Sequence, residues 1–139
     1  MFKLIAIAND GSGGGRKALA LACDLAKAHH AALHMISVEE LPDFPASIDE
    51  VIETKEAENH KFHAVLETAR KLAEAKGMAL QAEVVAGHAV ATIVERVKAL
   101  KADLLVVGFM GHSALYERII GGTADRLVRL APCPVLVVK

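Results

Sequence analysis

A pattern of glycines near the end of the chain is the arrangement best suited to hold a ligand. Gly108 and Gly111 are separated by two residues, nine residues follow, and Gly121, Gly122 and Thr123 then precede a short amphipathic segment. Glycines allow tight turns and a close approach of the backbone to a ligand. Bare amides and a hydroxyl at a helix start suit an anion. The spacing therefore predicts a cradle for phosphate groups.

Two apolar segments must position this cradle. Residues 104–107 read Leu-Leu-Val-Val and end at Gly108, and residues 3–9 form a similar run that ends at Asp10 and Gly11. Continuous apolar runs of this length are typical of buried parallel strands. The carboxyl ends of such strands are where open α/β sheets bind ligands. Both polar ends are therefore predicted to lie at the ligand-binding edge of one sheet.

Strand and helix patterns alternate along the whole chain. Strands are predicted at 3–9, 32–38, 79–86, 103–107 and 135–138, with amphipathic helices between them. The first helix, from about 15 to 30, is expected to bury a stripe of Ala18, Leu21, Ala22, Leu25 and Ala28. This alternation predicts a doubly wound, open five-stranded parallel sheet with helices on both faces. Such a sheet reverses its winding at one point, and with the strand order 3-2-1-4-5 this point lies between strands 1 and 4. In that order Ala8, Asn9 and Asp10 share one crevice with Gly108.

The composition limits the class of protein. A chain of 139 residues is predicted to form one domain, residues 1–139, and its 53% hydrophobic but only 4% aromatic content indicates a core of small aliphatic side chains. The net charge of −1 and the absence of a Lys/Arg run argue against nucleic-acid binding. No apolar run approaches the roughly 20 residues of a membrane helix. Two cysteines without metal spacing favour a cytoplasmic location.

Taken together, these residues resemble the universal stress protein family, and the resemblance covers the full length of the chain. The features that carry it, besides the glycine spacing, are Asp10-Gly11-Ser12 after the first strand, the His34 strand, the Gly87 turn, Ala102-Asp103 before the fourth strand, and the ending Ala131-Pro132-Cys133-Pro134-Val135-Leu136-Val137-Val138. Nucleotide-binding members of that family have Gly, two residues, Gly, nine residues, then Gly with Ser or Thr.

The resemblance implies ATP as the ligand, alone or with Mg²⁺, and assigns roles to matching positions. Asp10, after Ala8 at the end of the first strand, would accept hydrogen bonds from the ribose hydroxyls. The backbone of Met35 would read the adenine edge. The residues implied to wrap the phosphates are Gly108, Gly111, Gly121, Gly122 and Thr123, and His112 and Ser113, which directly follow Gly111, are further candidate phosphate donors.

One position departs from the family pattern. Where the family usually has Ser or Thr directly after the third glycine, this chain has Gly122, and its hydroxyl comes one residue later at Thr123. Losing one neutral hydrogen bond typically costs about 0.5–1.5 kcal/mol, so the affinity is expected to fall by up to about tenfold while the backbone cradle survives.

Simpler interpretations stay open for several of these residues. The glycines could serve only a tight turn and a helix start, and Asp10 before Gly11 is favourable turn chemistry by itself. The glycines at 13–15 are followed by Arg16, which fits neither a Walker A nor a dinucleotide motif, so they are interpreted as a flexible start of a helix. His60 and His63 are three residues apart on a helix and are interpreted as a solvated face rather than a metal site.

The leading hypothesis is an ATP-binding universal stress protein that acts as a nucleotide-dependent regulatory or stress-response protein, and not as an enzyme. The alternative is a nucleotide-free homodimeric interaction module of the same fold, and a weak ATP-hydrolysing or adenylate-forming enzyme is a third hypothesis. A homodimer is expected through the terminal strand 135–138, because an apolar strand at a sheet edge promotes association. Family members that resemble this chain dimerise in that way.

Overall fold

The computed structural model of the chain describes residues 1–40, 48–109 and 120–139. Strands and helices alternate throughout these residues. In chain order the elements are β1 (Leu4–Ala8), α1 (Gly13–His29), β2 (Ala32–Glu40), α2 (Ile48–Ala75), β3 (Leu80–Gly87), α3 (Ala89–Leu100), β4 (Leu104–Gly108), α4 (Gly122–Leu130) and β5 (Val135–Val138).

The strands form one parallel sheet in the order β3-β2-β1-β4-β5, which confirms the predicted fold. β1 lies between β2 and β4, and Ile7 pairs with Met35 on one side and with Val106 on the other. The connections lead from β1 outward to β2 and β3, then back across the sheet to β4 and β5. The winding therefore reverses between β1 and β4, where their carboxyl ends lie side by side.

Each face of the sheet has its own apolar core. α1 and α2 cover one face, and α3 and α4 cover the other. The first core contains Ile5, Ile7, Ala18, Leu19, Ala22, Cys23, Ala26, Leu33, Met35, Val65, Ala69, Ala73, Leu104 and Val106 among others. The second core contains Ala6, Ile36, Val90, Ile93, Val97, Ala102, Leu105, Val107, Ala124 and Leu127. Successive strand residues alternate between the two cores because side chains along a strand point to opposite faces.

The buried face of α1 differs from the predicted stripe. Ala18 and Ala22 are buried as expected, but Leu19 is buried in place of Leu21, which is 37% exposed, and Ala28 is exposed. Leucines and alanines occur on several sides of this helix, so their spacing alone does not decide which side faces the sheet. The packing of α1 against β1 and β4 makes that choice.

The ends of some elements also differ from the sequence-based bounds. β2 continues to Glu40, two residues beyond the predicted end. α1 begins at Gly13, so the glycines at 13–15 form its first helical turn rather than a flexible lead-in. Among the residues that the structure describes, no helix is both long enough and apolar enough to cross a membrane.

Candidate functional site

A buried asparagine organises the carboxyl end of β1. The side chain of Asn9 is shielded from solvent, with its Oδ1 accepting a hydrogen bond from the Gly11 N–H at 2.9 Å and its Nδ2 lying 3.4 Å from the Met35 sulfur. Its backbone is also engaged: Asn9 N donates to Ile36 O at 3.1 Å, and the Ser37 hydroxyl donates to Asn9 O at 2.7 Å. Asn9 thus fixes the point where the chain leaves the sheet. No role was predicted for Asn9 from the sequence. Its position between an apolar strand and the Asp10-Gly11 pair was the feature that could have indicated one.

The residues after Asn9 form a hydrogen-bonded turn that leads into α1. Asp10 Oδ1 accepts from the Ser12 N–H at 2.9 Å, and Ser12 Oγ accepts from the Gly15 N–H at 3.1 Å as the N-cap of the helix. The hydrogen bond from the Ser12 N–H shows that Asp10 takes part in the turn after β1. A carboxylate has about four acceptor positions, so the turn orients this exposed side chain and is compatible with a ligand as well. The predicted ribose contact stays a prediction.

The end of β4 touches the first turn of α1. A Cβ added to Gly108 would lie 2.7 Å from the carbonyl carbon and 2.8 Å from the carbonyl oxygen of Gly14. A Cβ on Gly15 would overlap the Asn9 Oδ1 atom. These glycines let the helix start and the ends of both strands approach one another closely. Gly108 thus has a packing role that does not depend on any ligand.

The start of α4 is attached to the same strand end. Phe109, directly after β4, donates its N–H to Val138 O at 2.7 Å and accepts a hydrogen bond from the Gly121 N–H at 2.8 Å. Gly121 is the N-cap of α4 and has no side chain to cap the helix. The first amides of a helix lack intrahelical acceptors and carry partial positive charge. The helix starts of α1 and α4 are therefore both anchored at the end of β4.

Gly122 and Thr123, in the first turn of α4, are exposed. A Cβ built on Gly122 would meet no atom within 4 Å. Gly122 is therefore not required by packing, unlike Gly108. The room beside it would accept the hydroxyl-bearing side chain that the family usually has there.

Met35 lies in the middle of β2. It is fully buried, pairs with Ile7 of β1 and Ala82 of β3, and its side chain belongs to the first core. The predicted contact with the adenine edge concerns the backbone of Met35 rather than its side chain, and it stays a prediction. β2 continues beyond it to Glu40, and Ser37 is the residue that meets the end of β1.

Some of the other candidate residues are described by the structure and some are not. Ala8 is the last residue of β1 and is half-buried beside Asn9. Gly111, His112 and Ser113 lie outside the described residues, so their predicted contacts with phosphate stay predictions. His60 and His63 are exposed on α2, and within the described part of the chain no group of three or more His, Cys, Asp or Glu side chains is placed to hold a metal ion.

A carboxylate fastens β1 and β4 at the opposite end of the sheet. Asp103 Oδ2 and Oδ1 accept from the Lys3 and Leu4 N–H groups at 2.8 and 3.1 Å, and Asp103 N donates to Leu4 O at 3.0 Å. Desolvation alone would raise the pKa of Asp103, but these backbone donors outweigh it and lower the pKa. Asp103 holds the two strands in register, and thereby sets how their carboxyl ends meet.

Comparison with known proteins agrees with this architecture. Residues 1–139 match the model of the universal stress protein family. The chain is 33% identical to a universal stress protein of Methanocaldococcus jannaschii, over all of this chain and 83% of that protein. It is 32% identical to a universal stress protein of Thermus aquaticus, over the full length of both.

Solved structures show the same arrangement of elements. A universal stress protein in complex with cAMP has 28% identity and a TM-score of 0.74, covering 99% of this chain and 97% of that chain. Universal stress protein UspA from Lactobacillus plantarum has 22% identity and a TM-score of 0.84, with the same coverage of both chains. The second likeness concerns the fold alone.

Proposed function

The chain belongs to the universal stress protein family, and we propose that it binds an adenine nucleotide, with ATP as the ligand, in the crevice between the carboxyl ends of β1 and β4. The observation that carries this proposal is the attachment of two helix starts to one strand end. Gly108 lies against Gly14 of α1, and the Phe109 carbonyl holds the Gly121 N–H before α4. Helix N-termini attract phosphate groups through their unpaired amides and their dipoles. A solved relative at 28% identity is a complex with cAMP, which supports the adenine nucleotide class.

The described residues suit the parts of such a ligand. The carboxylate of Asp10, oriented by the Ser12 N–H, is proposed to accept hydrogen bonds from the ribose hydroxyls. The amides of Gly122 and Thr123, together with the Thr123 hydroxyl, are proposed to bind phosphate oxygens. When Mg²⁺ accompanies ATP, it would neutralise part of the phosphate charge. Gly111, His112 and Ser113, which are not among the described residues, are proposed to add further contacts to the phosphate groups.

We further propose that the protein is regulatory rather than catalytic and acts in the cytoplasm as one domain. Nucleotide occupancy would act through the two helices that begin at the crevice. α1 packs on one face of the sheet and α4 on the other, so a ligand held by both helix starts links the two layers. A change in occupancy would thereby alter surfaces on both faces.

A homodimer through β5 is part of this proposal. β5 (Val135–Val138) is an edge strand of the sheet, and all of its residues are partly exposed. An apolar edge strand favours pairing with a second copy around a two-fold axis. Val137→Lys is expected to shift the mass measured by light scattering from dimer to monomer. A variant that stays dimeric would place the interface elsewhere.

The binding test is calorimetric titration of ATP with Mg²⁺ into nucleotide-stripped protein, with AMP and cAMP in parallel. We expect saturable micromolar binding that weakens about tenfold or more in Asp10→Ala, because hydrogen bonds to a charged group contribute about 1.5–3 kcal/mol. Gly111→Val is expected to abolish it. Asp49→Ala, which changes an exposed acid on α2, is the matched control and should bind like the unchanged protein. If the unchanged protein binds none of the three nucleotides, the nucleotide-free interaction module becomes the better hypothesis.

A further inference from the structure

We propose that a cavity between α1 and α2, which adjoins the proposed nucleotide crevice at Asn9 and Gly11, is a second binding site, for a small aliphatic carboxylate. The cavity has a volume of about 200 Å³ and opens to solvent between the two helices. Asn9, Gly11, Arg16, Leu19, Ala64, Val65, Thr68, Ala69 and Leu72 line it. The proposal concerns this pocket alone and does not depend on nucleotide binding.

The cavity has an apolar floor and a more polar rim. Leu19 of α1 and Val65 and Ala69 of α2 are buried and form the floor. Leu72, which also lines the cavity, is half-buried. Such a floor favours a hydrocarbon chain, because transfer of apolar surface out of water is favourable.

The rim supplies the charge that selects the ligand. Arg16, Ala64 and Thr68 are exposed, and among the lining residues Arg16 is the charged one. A guanidinium matches the geometry of a carboxylate and can bind it through two parallel hydrogen bonds. An anionic head at Arg16 with its hydrocarbon tail over Leu19 satisfies both parts of the cavity. A cation of the same length would meet Arg16 with like charge.

The Asn9 side chain in the cavity wall is engaged by the protein. Its Oδ1 accepts from the Gly11 N–H and its Nδ2 donates to the Met35 sulfur. The other buried lining residues, Leu19, Val65 and Ala69, are apolar. This favours a plain alkyl chain over a nucleobase, whose ring nitrogens would be buried without partners.

The size of the cavity limits the length of the chain. A volume of about 200 Å³ admits a short alkyl chain and excludes a long one. Hexanoate, with about eight non-hydrogen atoms and its carboxylate at the rim, matches this capacity. A dissociation constant on the order of 1 mM is expected for so small a ligand.

An occupied cavity would press on the turn that precedes α1. A Cβ on Gly11 would lie 2.6 Å from the Val65 Cγ2 atom, so this turn already rests directly against the cavity wall. Gly11 is the neighbour of Asp10 in the nucleotide crevice. A ligand that displaces Val65 is therefore expected to shift the Asp10 and Gly11 amides as well.

The test is an amide-resolved NMR titration of the full chain with hexanoate, hexan-1-ol and hexylamine, without nucleotide. Hexanoate is expected to shift the Gly11, Leu19, Val65 and Ala69 amides saturably, at least fivefold more tightly than hexan-1-ol, and hexylamine should leave them unchanged. Shifts that do not saturate by 20 mM, or equal affinities for all three compounds, would overturn the proposal.

Two variants separate the head group from the tail. Arg16→Gln should remove the preference for hexanoate over hexan-1-ol while leaving the weak binding of the alcohol. Ala64→Leu, at the exposed rim, should fill the cavity and weaken hexanoate at least tenfold. Arg70→Gln and Ala57→Leu change exposed residues of α2 that do not line the cavity, and they should bind like the unchanged protein.

A competition arm separates this site from the proposed nucleotide site. Saturating AMP is expected to leave hexanoate bound, with the Leu19 and Ala69 shifts retained. Competitive displacement by AMP, with the same amides shifted by AMP itself, would identify the cavity as part of the nucleotide site and would refute a separate carboxylate site. A protein that binds no nucleotide can still bind hexanoate, so the two proposals fail independently.

Discussion

The ends of β1 and β4 lie side by side but are built in different ways. The β1 end depends on side chains: Asn9, Asp10 and Ser12 each accept a hydrogen bond from a nearby N–H. The β4 end depends on the main chain, since Phe109 and Gly121 are joined through backbone atoms and α4 has no side-chain cap. The difference indicates that one half of the crevice is fixed by the protein's own side chains, while the other begins a helix whose first amides have no side-chain cap.

The largest effect is expected where the end of β4 touches the first turn of α1. Gly108→Ala places a Cβ 2.7 Å from the Gly14 carbonyl carbon, and main-chain atoms cannot move aside as a flexible side chain can. We expect a loss of about 1–3 kcal/mol in the free energy of unfolding, as for other overpacked sites. Chemical denaturation measures this. Gly13→Ala is the control because a Cβ there meets nothing within 4 Å. Equal stability of the two variants would show that β4 does not depend on this contact.

The next effect tests the end of β1, which depends on side-chain hydrogen bonds. Asn9→Ala leaves the Gly11 N–H without its acceptor in a partly buried position, which is expected to cost about 1 kcal/mol. Denaturant unfolding should show this loss, together with faster hydrogen exchange at the Gly11 amide. Asn59→Ala, which changes an exposed residue of α2, should leave both unchanged. An Asn9 variant as stable as the parent would mean that the β1 end does not need its buried amide.

Loss of a side-chain hydroxyl should destabilise the start of α1 more than the start of α4. Ser12→Ala removes the acceptor of the Gly15 N–H and is expected to cost about 1 kcal/mol, as is typical of a lost N-cap. Thr123→Ala removes an exposed hydroxyl from a helix whose N-cap is Gly121, and a change within about 0.5 kcal/mol is expected. Thermal unfolding of both variants measures the contrast. A larger loss in Thr123→Ala would reverse the comparison.

The last expected effect is a gain in ATP affinity rather than a loss of stability. Gly122→Ser adds a hydroxyl in open space at the start of α4, the helix start that has no side-chain cap. If the proposed phosphate contact forms, ATP affinity should rise by up to about tenfold, which corresponds to one added hydrogen bond of 0.5–1.5 kcal/mol. Calorimetric titration measures this, with Gly122→Ala as the control for backbone effects. Identical affinities for Ser and Ala would place the phosphates away from Gly122.

Much of the fold was predictable from local patterns. The fifth strand, 135–138, has the predicted bounds, and the alternation of strands and helices correctly predicted a parallel sheet covered on both faces. The buried side of α1 was not predictable, because Leu19 and Leu21 are equally apolar and only the position of the sheet separates them. β2 was predicted too short, since Glu39 and Glu40 are polar residues that continue a strand through its backbone pairing with β3.

The candidate site was predicted in part. The glycine spacing located the end of β4 and the start of α4, and the structure attaches both to one point through Phe109. Asn9 was missed because a single polar residue gives no periodic signal, although it is the buried centre of the β1 end. Met35 was assigned by resemblance alone; it lies within β2, paired with β1 and β3, and the expected backbone contact stays a prediction.

The sequence by itself determined the elements, their order and the family, because hydrophobic periodicity and glycine spacing are local properties of the chain. The tertiary structure decided which of two glycines is required by packing: Gly108 meets the Gly14 backbone, while Gly122 faces open space. It also created the cavity between α1 and α2. Such features depend on distances between residues remote in the chain, and these distances are set only when the helices pack against the sheet.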